Sequence, residues 1–80
     1  MYKELETAKN RLVGTKQVLR ALLANEAAVV YIAKDADAEI KEKILAAATD
    51  NASVIWADTM QILGEVCGID VPAAAAAIKK

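Results

Sequence analysis

The segment Ala27-Ala28-Val29-Val30-Tyr31-Ile32-Ala33 constrains this chain more than any other, because it runs seven residues without a charge and three of them are β-branched. A strand with one wet face alternates apolar and polar side chains. An unbroken apolar run instead marks a strand covered on both faces, at the centre of a sheet flanked by helices. The whole chain has 80 residues with which to supply that sheet and those helices. At this length only roughly 60% of the surface exposed by the unfolded chain can be buried, so every periodic segment must serve a single core and residues 1–80 form one domain. With 56% hydrophobic and 26% charged residues, the composition is that of a packed chain that folds without a partner.

Tyr2, Leu5, Ala8 and Leu12 recur at helical spacing with charged residues between them, which predicts an amphipathic helix over about 2–12. After Gly14, Thr15 is placed to cap a second helix with the apolar pairs Val18/Leu22 and Leu19/Leu23, and Asn25 ends it. Beyond the central strand, Asp37 is a suitable N-cap for a third helix with Ile40, Ile44, Leu45 and Ala48 inward, and Asp50-Asn51 ends it. Val54-Ile55-Trp56-Ala57 reads as a short strand, Asp58-Thr59 as the start of a fourth helix, and Gly68 as its close. Strands alternating with helices imply a three-layer α/β/α sandwich. Pro72 and the alanines after it are ambiguous. Propensity makes them a helix, yet 73–78 spans less than two turns, and small side chains equally suit a strand squeezed between layers.

Several function classes drop out. The absence of histidine removes the usual general base, the commonest zinc ligand and every Ser-His or Cys-His nucleophile, so an enzyme is not expected. The single cysteine, Cys67, cannot form an internal disulfide and falls at an apolar helix position. No apolar run approaches the roughly 18 to 20 residues that span a bilayer, and the charged first residues lack an export signal, so the expected address is the cytoplasm. A net charge of −1 by itself argues against a nucleic-acid binder, because such domains usually carry a clear positive excess. Its distribution is uneven. Through Lys34 six basic residues face three acidic ones, a balance of +3, and from Asp35 onward four face eight, a balance of −4. Such asymmetry allows one positive face on a near-neutral protein.

Three places could carry chemistry. At Gly14-Thr15-Lys16-Gln17 the chain turns into a helix whose first N–H groups face solvent, with Arg20 one turn after Lys16. Long donors there could reach phosphates or purine edges, and the plain alternative is a capped helix with a solvated polar face. Lys34-Asp35-Ala36-Asp37 follows the central strand, where α/β folds place ligands. Two carboxylates alone make a poor metal site, and capping explains Asp37. Ile69-Asp70-Val71-Pro72 forms a loop whose two branched apolar residues either bind something or fold back to close the helix end.

Gly14-Thr15-Lys16-Gln17 with Arg20, Ile32-Ala33-Lys34-Asp35-Ala36-Asp37, and Leu63-Gly64-Glu65-Val66-Cys67-Gly68-Ile69-Asp70-Val71 running into the alanines and Ile78 together resemble the kink-turn-binding ribosomal protein family typified by archaeal L-seven-Ae. The small bacterial YbxF-type members are the nearest within it. The resemblance covers nearly the whole chain in matching order. It implies a four-stranded mixed sheet within the α/β/α sandwich, with the alanine segment as a strand. It also implies that Lys16, Gln17 and Arg20 read the guanines of tandem sheared G·A pairs while Gly14 and Thr15 approach the RNA backbone. Ile69, Asp70 and Val71 would meet unpaired nucleotides, and Lys34 and Asp35 would line the space between. Where the archaeal and eukaryotic pattern has Asn-Glu, this chain has Lys16-Gln17, the pairing typical of the bacterial branch.

A kinked target also fits the physics, since the major groove of A-form RNA is too deep and narrow for side chains until a kink or bulge opens it. The resulting expectation is a monomeric, non-catalytic binder of structured ribosomal or messenger RNA, with no cofactor, no metal, no DNA target and no membrane association. An assembly module using the apolar loop, and a small phosphate-ligand domain using the helix start, are the alternatives.

Overall fold

The computed structural model describes residues 2–49 and 52–80. Its elements are α1 (Lys3–Thr7), β1 (Arg11–Val13), α2 (Thr15–Leu23), β2 (Ala27–Ala33), α3 (Ala38–Ala48), β3 (Ser53–Ala57), α4 (Met60–Val66) and β4 (Ala75–Lys79). The four strands form one mixed sheet in the order β1-β4-β2-β3, in which only β2 and β3 run parallel. Helices α2 and α3 cover one face over Val30, Ile32, Ala75 and Ala77. Helices α1 and α4 cover the other over Tyr31, Ala33, Ala57 and Ala76. The result is the expected α/β/α sandwich.

Two segments depart from the local signals. The helix expected over about 2–12 stops at Thr7, Ala8 is extended, and Arg11–Val13 is a strand paired with Ile78, Ala77 and Ala76. Arg11 secures that break. Its guanidinium donates to the carbonyls of Leu5 (3.3 Å) and Glu6 (2.8 Å), which the ended helix leaves open, and to that of Cys67 (3.0 Å). The alanine segment is a strand against its propensity, because β4 lies between β1 and β2 and alternates its side chains into two cores. Ala75, Ala76 and Ala77 are fully buried there. Larger side chains would push the helical layers off the sheet.

Capping differs in detail from the sequence reading. Gly14, at φ +107°, is the N-cap of α2, and Thr15 is the first helical residue. Asp37 occupies the N-cap of α3, but its side chain accepts no capping hydrogen bond. Thr59 does cap α4, accepting from the Ile62 N–H at 3.0 Å. Asn25 at φ +56° and Gly68 at φ +75° follow α2 and α4 as left-handed stops. The expected end of the third helix at Asp50-Asn51 lies outside the described residues. Leu45, expected inward, is 40% exposed, and Leu23 of the apolar pair Leu19/Leu23 is 80% exposed.

Candidate functional site

Strand direction alone gathers the sequence-predicted residues. Strands β1, β2 and β3 all end where β4 begins, so Gly14, Lys34, Asp58 and Ala74 share one end of the sheet. Backbone hydrogen bonds fasten that end. The N–H of Gly14 donates to Ala75 O (3.0 Å), that of Ala33 to Ala74 O (2.9 Å), that of Lys34 to Ala57 O (2.9 Å) and that of Ala73 to Met60 O (3.0 Å). Helix α2 leaves this end on one face of the sheet, and the 69–72 loop enters it on the other. The three predicted segments, separated by up to 57 positions, therefore border one continuous surface.

Within it, Lys16, Gln17 and Arg20 are exposed on the first turns of α2, while Gly14 and Thr15 are half-buried at its start. Lys34 is exposed and its Nζ stands 3.7 Å from the Asp58 carboxylate. Lys41 Nζ donates to the Lys34 carbonyl at 2.9 Å and steadies the turn. Asp35 is also exposed, yet Oδ1 accepts the Met60 N–H at 2.8 Å, so this carboxylate holds the first turn of α4.

The two apolar residues of the 69–72 loop are placed differently. Ile69 folds back against the α4-side core, whereas Val71 is 62% exposed and Asp70 points to solvent. Beside them lies a shallow groove of about 210 Å³ lined by Gln61, Glu65, Ile69, Asp70, Val71 and Pro72. A larger depression of about 520 Å³ opens on the α1 side over Tyr31 and Ile55, and none of the predicted site residues lines it.

Sequence reasoning overlooked Gly64. A Cβ at this position would collide with the Val71 carbonyl oxygen and come within 3.3 Å of Pro72 Cα. Its absence lets the loop lie directly on α4. The signal was present, since a glycine inside a helix costs about 1 kcal/mol relative to alanine and points to a close approach. Arg11, counted above among the positive residues, is spent on internal carbonyls and takes no part in this surface. Cys67 is buried, and burial pushes its thiol above the usual range, against a smaller opposing pull from the Arg11 guanidinium. It stays protonated near neutral pH and serves as core. Among the described residues, no three Cys, Asp or Glu side chains gather where they could hold a metal ion, and no helix is long and apolar enough to cross a membrane.

Known proteins resemble this chain in sequence and in fold. An RNA-binding protein of Halalkalibacterium halodurans is 42% identical over 80 residues, covering 99% of this chain and 98% of that protein. The RNA-binding protein YbxF of Geobacillus stearothermophilus is 46% identical over 78 residues, covering 96% and 95%. Among solved structures, the 15.5 kD RNA-binding protein of Giardia lamblia superposes with a TM-score of 0.75 at 26% identity, over 90% of this chain and 62% of that one. Residues 1–80 match the description of one family throughout, and the chain belongs to it: the ribosomal protein L7Ae/L30e/S12e/Gadd45 family.

Proposed function

We propose that this protein is a non-catalytic RNA-binding protein that recognises kink-turn RNA with the loop end of its sheet, acting as a cytoplasmic monomer on a ribosomal or messenger element. The observation that carries this reading is the meeting of the α2 start, the Lys34–Asp35 turn and the 69–72 loop at one end of the fold. Exposed donors (Lys16, Gln17, Arg20) belong to the first of these segments and an exposed apolar residue, Val71, to the last. Backbone N–H groups and the Lys16 ammonium at the α2 start suit a phosphate, and Gln17 and Arg20 suit purine edges. Val71 suits the face of an unstacked base. The curated relatives described above are RNA-binding proteins, which supports the same class of ligand.

Titrating labelled RNAs that differ only in a kinked G·A internal loop tests the proposal, with at least about tenfold tighter binding expected for the kinked form. Equal binding of both would point to a simple phosphate binder, and binding of neither to an assembly module. Because few cations converge on this surface, log affinity should fall with log salt at a slope of only about −2 to −4. A slope near that of strongly basic binders would place the source of affinity elsewhere. Lys16→Ala and Arg20→Ala should each weaken kinked-RNA binding by about 1 kcal/mol while leaving thermal unfolding within about 2 °C, since both side chains are exposed. Parental affinity in either variant would return the α2 start to a plain helix cap.

A further inference from the structure

Sheet order fixes the sequence of charges along the site. From one side to the other, the strand ends run β1, β4, β2, β3, so the edge begins at the α2 start with Lys16, passes Lys34 after β2 and finishes at Asp58 after β3. With neighbouring strands about 4.8 Å apart, the outer two lie about 14 Å from each other, a span that straight duplex RNA laid across the edge would cover entirely. The cationic end is therefore the β1 side, and toward the β3 corner the charges of Lys34 and Asp58 offset each other.

Lys34 does not extend the positive end, because Asp58 holds it. The ion pair measures 3.7 Å, and its partners retain 61% and 59% exposure. Both residues are anchored through their backbones. The Lys34 N–H donates to Ala57 O and its carbonyl accepts from Lys41 Nζ, while the Asp58 N–H donates to the Tyr2 hydroxyl at 3.2 Å. The two backbones are thereby held side by side, which keeps the side chains within reach of each other.

We infer that Asp58 is a specificity-determining residue of the RNA-binding edge: by neutralising Lys34 it withholds a free cation from straight duplex RNA at the β3 side, so that productive contact rests on the α2 start and the 69–72 loop. This inference rests on the RNA-binding reading above. A straight duplex offers chiefly phosphates and 2′-hydroxyls, and its affinity leans on the free cations it meets. A bent RNA that engages Lys16, Gln17, Arg20 and Val71 has no need of the β3 corner. Discrimination here comes from withholding an attraction that the straight partner would use and the bent one does not need.

The experiment is the titration of Asp58→Asn and of the parent with two RNAs, one straight and one carrying the kinked G·A loop. An exposed ion pair has a modest worth, so the straight duplex should bind about two- to fivefold tighter to the variant. Its salt slope should steepen by about one, as one freed lysine joins the contact. Affinity for the kinked RNA should change by less than about twofold, so that the preference narrows. Lys34→Met combined with Asp58→Asn should lose much of the gain, a coupling that a merely structural role for Asp58 would not produce. The inference is overturned if straight-duplex affinity is unchanged in Asp58→Asn, if both RNAs gain equally, or if the gain survives intact in the double variant. A parent that shows no preference for kinked RNA would instead sink the functional reading itself, and the two failures are distinguishable from one set of titrations.

Discussion

Gly64→Ala should lower the melting temperature by about 8 to 16 °C, although alanine is the better helix former. Propensity favours the substitution by about 1 kcal/mol. Against this stands a methyl group driven into the Val71 carbonyl, a backbone atom that cannot rotate aside. Overpacking of that kind lies at or above the upper end of the usual range, about 3 kcal/mol, which leaves a net loss near 2 kcal/mol. In a domain of this size each kcal/mol moves the midpoint by about 4 to 8 °C. A circular-dichroism melt reads the shift directly. A rise of a few degrees would mean that helix propensity wins and that α4 and the loop are not pressed together. Variant protein that remains folded at low temperature should also bind kinked RNA more weakly, because the loop must lift off the helix to admit the methyl group.

Val71→Glu should produce the opposite pattern, with the fold intact and binding lost. At 62% exposure the valine contributes little to the core, so the midpoint should stay within about 4 °C of the parent. Binding to kinked RNA should fall by about 1 to 3 kcal/mol, since an apolar contact with an unstacked base is lost and a carboxylate is set among phosphates. Ile69 lies half-buried against the core two positions earlier, and the same change there should act first on stability. Unfolding and titration on one Val71→Glu preparation decide the matter. An unchanged midpoint with unchanged affinity would remove Ile69, Asp70 and Val71 from the interface and leave the α2 residues standing.

These two positions also show what could and could not be read from the chain. Elements whose signals are local were legible: the unbroken apolar run of β2, the pair Val18/Leu22 on α2, Thr59 as the cap of α4 and Gly68 as its stop. Elements decided by distant partners were not. Arg11–Val13 continues a helical spacing and becomes a strand only because Ile78, Ala77 and Ala76 pair with it from the far end of the chain. The alanines of β4 have the strongest helix propensity of any residue, and burial on both faces overrides it. Of the proposed site, the Gly14–Arg20 and 69–71 segments were singled out by residue type and by family resemblance, and the structure adds that Lys16, Gln17, Arg20, Asp70 and Val71 are exposed. The close approach at Gly64 and the Lys34–Asp58 ion pair were not, because each depends on what a segment elsewhere brings against it.

The placement of β4 also governs the order in which the molecule can assemble. Every antiparallel pairing in the sheet involves this strand, which joins β1 on one side and β2 on the other, with Arg11 opposite Ile78 and Ile32 opposite Ala75. Before β4 arrives, only the parallel β2–β3 pair can form, β1 has no strand to pair with, and the two cores lack the alanines they share. The contacts that close the sheet thus span most of the chain, which requires a large loop-closure entropy to be met before any reward is gained. Folding should accordingly be slow for so small a domain and all-or-none, with the helices gaining lasting order only once the last strand has threaded between its neighbours.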